Sequence, residues 1–273
     1  MKKCIIFSDL DGTLLDYATY SYEKALPALA VVKEKEIPLV ICSSKTRTEI
    51  EHYREKLANS HPFISENGGG IFIPRKYFDF PLPAAAYPIE EDADYNVIRL
   101  GARYSDLRNA VKELQMEGFA ITGFGDMTAE ELADVANMNI DEARMAKERD
   151  FDEPFSYKGP GHELPRLFRS INQKGFTSTQ GRFFHILGSS NKGIAVSILT
   201  DLYKMKYGKI KTIALGDSPN DIPMLERVDF PVLVQKQDGN YDSQIDMSKL
   251  IRADGIGPAG WNKAILEVIL KIR

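Results

Sequence analysis

Short apolar runs alternate with longer amphipathic stretches at both ends of the chain. Residues 4–7, 38–42 and 210–215 are mostly apolar and rich in β-branched side chains, which predicts buried strands of a parallel sheet. Residues 21–36 and 192–207 repeat apolar side chains at helical spacing, so we expect helices there. Strands that alternate with helices in this way are typical of an α/β fold with helices on both faces of the sheet.

The pattern changes in the middle of the chain. Residues 81–88 are rich in Pro and Ala, which indicates a boundary, and the strands and helices predicted after it are shorter. The charged residues of the stretch 130–149, Arg149 among them, are expected to form a solvated face. We therefore predict an α/β core interrupted by an α+β insert, with three segments: 1–83 for the first part of the core, 84–187 for the insert and 188–273 for the second part of the core.

Helix starts are predicted from capping residues. Thr48 with Glu51, and Thr128 with Glu131, have the Ser/Thr-x-x-Glu spacing of a capping box. Ser105 is expected to cap the helix that follows residue 104, because its hydroxyl can accept from a free backbone N–H group.

Composition and charge narrow the classes of function. The 273 residues are 43% hydrophobic and 27% charged, and the formal net charge is −4, so nothing favours binding to nucleic acid or to a membrane surface. Cys4 and Cys42 both lie in apolar runs, which predicts buried free thiols in a reducing compartment. No apolar stretch approaches the roughly 20 residues that span a bilayer. We expect a cytoplasmic protein.

The predicted central strands end in polar residues. Asp9 and Asp11 follow the first strand, Ser43 follows the second, and Lys192 begins a helix. The third strand ends in a further set: Asp217, Asn220 and Asp221. Because the carboxyl ends of parallel strands share one edge of a sheet, these side chains can meet although they are distant in sequence. Carboxylates, a hydroxyl and an ammonium group together are suited to phosphoryl transfer.

Each residue of this set has a predicted role. Asp9 is the expected nucleophile, which forms an aspartyl-phosphate, and Asp11 the general acid and base. Oxygen ligands favour Mg²⁺, expected to be held by Asp9, the Asp11 carbonyl and Asp217. Ser43 and Lys192 are expected to bind the non-bridging phosphoryl oxygens. Asn220 is expected to join them, whereas Asp221 would orient Lys192.

Taken singly, these residues also fit structural roles. Ser43 could cap a helix, Lys192 could be a surface cation, and Asp217 with Asp221 could form a turn. The joint occurrence at strand ends and at a helix start favours the chemical interpretation.

Four motifs resemble, in order, those of the haloacid dehalogenase superfamily: Asp9-Leu10-Asp11-Gly12-Thr13, Ser43, Lys192 and Gly216-Asp217-x-x-Asn220-Asp221. The resemblance implies a Rossmann-like core. It also implies that the insert between Ser43 and Lys192 is a type C2 cap, as in the sugar-phosphatase branch of that superfamily.

Within that branch the chain is most similar to the mannosyl-3-phosphoglycerate phosphatases. The similar motifs extend over nearly the whole chain: Ser43-Ser44-Lys45-Thr46, Glu66-Asn67-Gly68, Gly123-Phe124-Gly125-Asp126-Met127, Asp152-Glu153-Pro154-Phe155 and Gly260-Trp261-Asn262. The resemblance implies Mg²⁺-dependent hydrolysis of mannosyl-3-phosphoglycerate to mannosylglycerate and phosphate. Glucosyl-3-phosphoglycerate, sucrose phosphate and hexose phosphates are alternative substrates.

A substrate with a carboxylate beside its phosphate needs cations beyond Lys192. Lys45, Arg182 and His185 are the candidates, although each could equally be a surface cation or a packed imidazole. The loop 125–127 offers backbone N–H groups and a carboxylate for sugar hydroxyls, or else simply leads into the next helix. The predicted substrate-binding residues are thus Ser44, Lys45, Asn67, Gly125, Asp126, Met127, Arg182, His185 and Asn220.

Other functions fit the sequence less well. A receiver-type signalling domain also gathers carboxylates, a hydroxyl and a lysine, but it would be far shorter and would lack the second carboxylate of Asp11. A phosphomutase of the same superfamily is a nearer alternative, which retains the phosphate on the sugar. A dehalogenase would not need Asp11 as a proton shuttle.

Overall fold

The computed structural model describes residues 3–83 and 86–272, and within them the strands form a nine-stranded and a four-stranded sheet. The strands are β1 Lys3–Ser8, β2 Leu39–Cys42, β3 Phe63–Ser65, β4 Gly70–Pro74, β5 Ile89–Glu91, β6 Tyr95–Arg99, β7 Ile121–Gly123, β8 Asp152–Tyr157, β9 Thr177–Gln180, β10 Phe184–Leu187, β11 Ile210–Gly216, β12 Phe230–Gln235 and β13 Ile251–Ile256. The helices are α1 Leu26–Glu34, α2 Arg47–Lys56, α3 Tyr104–Met116, α4 Ala129–Ala136, α5 Ile140–Ala146, α6 Leu164–Gln173, α7 Lys192–Tyr207, α8 Ile222–Leu225 and α9 Pro258–Lys271.

The larger sheet forms the core of the molecule. Its strand order is β13-β12-β11-β1-β2-β3-β4-β6-β5, and the pairs from β13 to β3 are parallel. β1 lies between β11 and β2, where the chain order reverses, which is the point at which open α/β sheets bind their ligands. The predicted α/β core with a parallel sheet is confirmed.

Both faces of this sheet are buried, which explains why its strands are apolar at successive positions. On β1, Ile6 belongs to the cluster that Trp261 of α9 completes. Ile5 and Phe7 point the other way, into the cluster that Leu199 of α7 completes. The helices therefore pack on both faces of β1, and this packing fixes the position of the polar residues that follow the strand.

The smaller sheet belongs to the insert. It is antiparallel, with the order β7-β8-β10-β9. α3 and α6 pack on it through Leu107, Val111 and Leu167. A further cluster joins α4 and α5 to Phe124. This arrangement confirms the predicted α+β character of the insert.

The sheet topology bears on where the insert begins. β5 and β6 lie inside the predicted insert, yet β6 pairs with β4 and β5 pairs with β6 at the edge of the larger sheet. The predicted first residue of the insert, Ala84, lies outside the described residues. We propose that the insert starts after Arg99 rather than at residue 84, whereas its end near residue 187 stays a prediction.

Two of the predicted helix caps are wrong. The capping box of α2 is formed by Thr46 and Glu49, because the helix begins two residues earlier than the Thr48–Glu51 spacing implies. Ser105 lies inside α3, which has no side-chain cap. The box of Thr128 with Glu131 is confirmed at the start of α4.

Four strands were not predicted: β5, β8, β9 and β13. β8 begins with three polar or proline residues, and β9 contains only Thr, Ser and Gln, so neither has the apolar pattern of a buried strand. None of the helices in the described part of the chain combines the length and apolarity that a membrane crossing requires.

Candidate active site

The carboxyl ends of β1, β2 and β11 meet at one edge of the larger sheet. Ser8, the last residue of β1, pairs in register with Leu215 of β11 and with Ile41 of β2. The backbone N–H of Asp9 still donates to the Leu215 carbonyl over 3.0 Å, so sheet pairing holds Asp9 in place. The chain leaves each strand within two residues, which brings together three predicted residues: Asp9, Ser43 and Asp217.

Lys192 lies at the centre of the site and is fully buried. Its Nζ is 2.7 Å from Oδ1 of Asp9 and 2.7 Å from Oδ1 of Asp221. Burial alone would lower the pKa of Lys192, but the carboxylates of Asp221 and Asp9 raise it above its ordinary value, so the ammonium stays charged. Asp221 thus takes the predicted place beside Lys192.

Asp217 is held by hydroxyls and by a close approach of the first loop. Thr13 donates to its Oδ1 over 3.1 Å, and Ser218 donates to its Oδ2 over 2.9 Å. Gly12 has φ +77°, and a Cβ atom there would lie 3.0 Å from Oδ2 of Asp217. Only glycine combines this backbone conformation with such an approach, which explains its place directly after Asp11.

Three carboxylates share this buried edge: those of Asp9, Asp217 and Asp221 offer oxygens within 4.8 Å of one another. Burial raises the pKa of Asp9 well above its usual value, with Lys192 opposing and the other two carboxylates adding to the rise. Burial and Asp221 raise the pKa of Asp217 to about 7. One ammonium does not compensate three carboxylates, so the donor set fits a divalent cation with oxygen ligands. Because Asp221 already binds Lys192 and accepts from two backbone N–H groups, Asp9 and Asp217 are the better ligands.

Asp11 points away from Asp9 toward the insert. Its Oδ2 lies 3.1 Å from Nζ of Lys45, which also contacts Glu49 at 3.1 Å. The other oxygen, Oδ1, is buried without a partner. Burial raises the pKa of Asp11 although Lys45 opposes the rise, which favours a carboxyl that can hold a proton.

Ser43 is buried beside Asp9, and its Oγ accepts from the N–H of Lys45 over 3.3 Å.

Asn67 occupies a left-handed backbone position in the turn after β3. Its Nδ2 donates to Asp152 over 2.8 Å, and its Oδ1 accepts from Nδ2 of Asn220 over 3.0 Å. One N–H of the Asn220 amide is thereby engaged, the amide keeps a second N–H, and its Oδ1 is buried without a partner. The predicted contact of Asn220 with a phosphoryl oxygen therefore stays a prediction.

Arg149 is the main residue that sequence reasoning missed. It was expected on a solvated face, but its side chain is buried between the insert and the core. Nη2 of Arg149 lies 2.7 Å from Oδ1 of Asp152 and donates to the carbonyl of Ser44 over 2.7 Å. Glu66 of the core turn accepts from the N–H groups of residues 150–152. The likeness of the 152–155 motif to the family was the one signal for this contact.

His185 lies in the same network. Its Nδ1 is 3.0 Å from Oδ2 of Asp152. Burial would raise the pKa of Asp152, but Arg149 and His185 outweigh it and lower the pKa, so the carboxylate is an acceptor. The ring nitrogen that faces it therefore carries a hydrogen, which leaves Nε2 as the second polar atom of the ring.

Arg182 lies in the turn before β10, the strand that carries His185. Because Arg182 is outside the strand, the alternation of side chains along β10 does not force the two residues onto opposite faces. Its Nη1 donates to the hydroxyl of Tyr20 over 2.9 Å, and its guanidinium lies 5.3 Å from the ring centre of Tyr17. Both tyrosines belong to the core loop after β1, so Arg182 joins the insert to that loop.

The loop 125–127 does not present the groups that were predicted to bind sugar. The carboxylate of Asp126 is engaged by Arg108, by Gln115 over 2.8 Å and by the N–H of Gly123 over 2.9 Å. The N–H of Gly125 donates to Glu153 over 2.9 Å. These groups stabilise the turn after β7, so the geometry gives the loop a structural role.

A narrow cleft of about 60 Å³ lies between the core and the insert. All three candidates for the substrate carboxylate, Lys45, Arg182 and His185, line this cleft, and so does Arg149, which was missed. The other polar residues of the lining are Asp11, Ser44 and Glu49. The apolar side is formed by Phe124, Met138 and Phe183. The cleft thus places cations directly beside Asp11.

The chain matches the family model described as haloacid dehalogenase-like hydrolase over residues 6–82 and 161–246. It is 46% identical over 271 residues to the glucosyl-3-phosphoglycerate/mannosyl-3-phosphoglycerate phosphatase of Methanococcoides burtonii, covering 98% of each chain. It is 39% identical to the mannosyl-3-phosphoglycerate phosphatase of Pyrococcus furiosus, covering 84% of this chain and 90% of the relative. The fold resembles that of the sucrose-phosphatase from Synechocystis, with a TM-score of 0.63 at 14% identity, over 99% and 98% of the two chains.

These similarities confirm the enzyme class that the strand-end residues predict, a phosphoric monoester hydrolase. They cover the core and the insert together, because the two relatives align with most of this chain. The chain belongs to the haloacid dehalogenase-like hydrolase family.

Proposed function

We propose that this enzyme removes the phosphate of a glycosyl-3-phosphoglycerate, such as the mannosyl or glucosyl ester, through an aspartyl-phosphate on Asp9. The observation that carries the proposal is the arrangement of Asp9 and Asp11. Asp9 faces Lys192, whereas Asp11 faces a cleft rich in cations. A phosphate ester with a second anionic group close to the phosphate fits both sides of this arrangement.

Asp9 is positioned for attack on phosphorus by one carboxylate oxygen. Lys192 engages Oδ1, so Oδ2 is the oxygen free to form the new bond. The ammonium of Lys192 and the Ser43 hydroxyl would donate to the non-bridging phosphoryl oxygens. Asp221 keeps Lys192 in place from its other side.

Asp11 is positioned for proton transfer to the leaving oxygen. Its carboxyl has a raised pKa and one buried oxygen without a partner, so it can hold a proton until the ester bond breaks. The ionised form can then accept a proton from the water that hydrolyses the phosphorylated Asp9. Lys45 stabilises that ionised form at 3.1 Å.

Mg²⁺ is the expected cofactor, held by Asp9, the backbone carbonyl of Asp11 and Asp217. When bound, it supplies positive charge that offsets the repulsion between Asp9 and an anionic phosphoryl group. The carboxylate cluster supports a divalent cation, and the oxygen donor set favours Mg²⁺ over softer metals.

Substrate choice is assigned to the cations of the cleft. Arg182 is the strongest candidate for the substrate carboxylate, because no carboxylate of the described residues lies within 4 Å of its guanidinium. Lys45 and Arg149 are already paired with Asp11, Glu49 and Asp152 and serve mainly to set the local charge. Truncating Arg182 should therefore raise KM for carboxylate-bearing substrates more than for an aryl phosphate.

The test is phosphate release from a matched panel of esters. Mannosyl-3-phosphoglycerate and glucosyl-3-phosphoglycerate should be cleaved with far higher kcat/KM than 3-phosphoglycerate, mannose 6-phosphate or an aryl phosphate. Asp9→Asn should abolish turnover of all of them, because an amide is a poor nucleophile. Asp11→Asn should lower kcat while it preserves folding. Equal kcat/KM for all esters of the panel would refute the proposed specificity and indicate a general sugar phosphatase. Full activity of the Asp9→Asn protein would refute the mechanism.

A further inference from the structure

A second cavity opens on the other side of Arg182. It measures about 290 Å³, against about 60 Å³ for the cleft beside Asp11, and Arg182 lines both. The second cavity lies between the first core loop, represented by Gly12 and Tyr17, and the loop that follows β12. It reaches Asp217, so it shares the catalytic edge with the narrow cleft.

The two spaces differ in chemistry as well as in size. Cations dominate the polar lining of the narrow cleft, which suits a small anionic group. In the second cavity Arg182 and Lys236 are balanced by Asp217 and Asp238, and Gln237 adds an amide. The Tyr17 ring, the Gln237 amide and the Asp238 carboxylate are groups of the kind that bind a sugar: the ring packs on C–H faces and the polar groups accept from or donate to hydroxyls.

Size separates the two spaces further. A volume of 290 Å³ is near the lower end of the roughly 300–1,000 Å³ of small-molecule sites. The narrow cleft, at about 60 Å³ by the same measure, is about a fifth of that size. The narrow cleft therefore suits a carboxylate, and the larger cavity suits a sugar ring.

We infer that the cavity between Tyr17 and the 236–238 loop binds the glycosyl group, whereas Arg182 and the narrow cleft bind the carboxylate. This inference rests on the proposed function, because a glycosyl-3-phosphoglycerate branches next to its phosphate into one carboxylate and one sugar. Arg182 stands at the branch point, where its guanidinium can reach the carboxylate while Tyr17 packs on its other side. Sugar recognition is thereby assigned mainly to the core loops, with Gly181 and Arg182 of the insert on one side of the cavity. Lys236 is tied to Asp242, which holds the loop in position.

Gln237 offers the sharpest test, because it is exposed and its replacement leaves the fold intact. Gln237→Trp fills the cavity and Gln237→Ala removes the amide. Gln244→Trp is the matched control, since Gln244 is exposed on the same segment but does not line the cavity. For each protein we would measure kcat/KM for mannosyl-3-phosphoglycerate and for 3-phosphoglycerate, which lacks the sugar.

The readout is the ratio of the two kcat/KM values. Gln237→Trp should lower this ratio at least ~10-fold, and Gln237→Ala should lower it ~3- to 10-fold, as expected for the loss of one hydrogen bond. Gln244→Trp should leave the ratio at its wild-type value. A wild-type enzyme that prefers the glycosylated ester while both Gln237 variants keep the wild-type ratio would overturn the inference and leave the proposed function standing. A wild-type enzyme with no preference for the glycosylated ester would overturn both.

Discussion

Replacing Lys192 by Met tests the electrostatics of the site most directly. The side chain is fully buried and lies 2.7 Å from each of two carboxylates, those of Asp9 and Asp221. Met keeps the length and packing but removes the charge, so three carboxylates within 4.8 Å of one another remain with no cation between them. Breaking a buried ion pair from one side costs about 3–5 kcal/mol.

This magnitude predicts a large change in thermal stability. At roughly 2–4 °C per kcal/mol for a chain of this size, a loss of about 4 kcal/mol lowers Tm by about 8–16 °C. The scan should be made in chelator, because a divalent cation would compensate part of the missing charge. Turnover with Mg²⁺ present should fall at least ~10²–10³-fold, as for loss of one donor to a developing anion.

Asp221→Asn in the Lys192→Met background separates charge from packing. An Asn oxygen can still accept from the N–H groups of Asp217 and Ser218, which Asp221 bonds at 3.0 and 3.1 Å. The double variant should therefore regain part of the lost stability without any activity. Alone, Asp221→Asn should destabilise, because its amide N–H₂ would face the Lys192 ammonium. A Lys192→Met protein that melts within about 1 °C of wild type, or a double variant with restored turnover, would refute this reasoning.

Two further predictions concern the metal and the core turn. Because burial raises the pKa of Asp217 from 3.8 to about 7, the metal-free fold gains a stabilising proton at low pH that is lost as pH rises through about 7. Tm in chelator should thus fall from pH 5 to pH 8, and Mg²⁺ should raise Tm more at pH 8; an equal Mg²⁺ effect at both values would contradict the assignment of Asp217 as a ligand. Gly68 and Gly118 have nearly the same φ, +92° and +91°. A Cβ atom at Gly68 would lie 2.2 Å from the carbonyl oxygen of Asn191, whereas a Cβ atom at Gly118 would have no described atom within 4 Å. Gly118→Ala should cost about 1–2 kcal/mol of backbone strain, and Gly68→Ala should cost several times more. Equal denaturation midpoints for the two variants would contradict this prediction and show that the turn at Gly68 can move to accept a Cβ atom.

The catalytic edge was predictable because it depends on one simple rule of sheet geometry. Apolar runs identify the parallel strands, and parallel strands bring Asp9 and Asp217 to one edge whatever the length of chain between them. The helix start at Lys192 was equally predictable from apolar spacing, and the structure adds a side-chain cap at Asn191. The boundary of the insert was not, since β5 and β6 join the larger sheet through pairing that composition does not reveal.

The residues that link the insert to the core were not predictable for a different reason. A charged run is solvated in most proteins, and nothing local to residue 149 shows that Glu66 and Asp152 will enclose its guanidinium. The same holds for Thr46, whose hydroxyl donates to the carbonyl of Met145 across the interface as well as capping α2. Such partners come from tertiary packing alone.

That packing also determines which atoms of the site donate hydrogen bonds and which accept them. Asp152 is ionised and can only accept, so Asn67 must turn its amide nitrogen toward it and its oxygen toward Asn220. Asn220 must then donate, which leaves its oxygen free beside the turn at Gly181. The same carboxylate sets the tautomer of His185 on the insert. One buried carboxylate therefore influences what both the insert and the catalytic loop can present to a substrate, namely the Oδ1 and second N–H of Asn220 and the Nε2 atom of His185. Sequence can supply these residues, but the direction of each hydrogen bond follows only from the contact between the two parts of the fold.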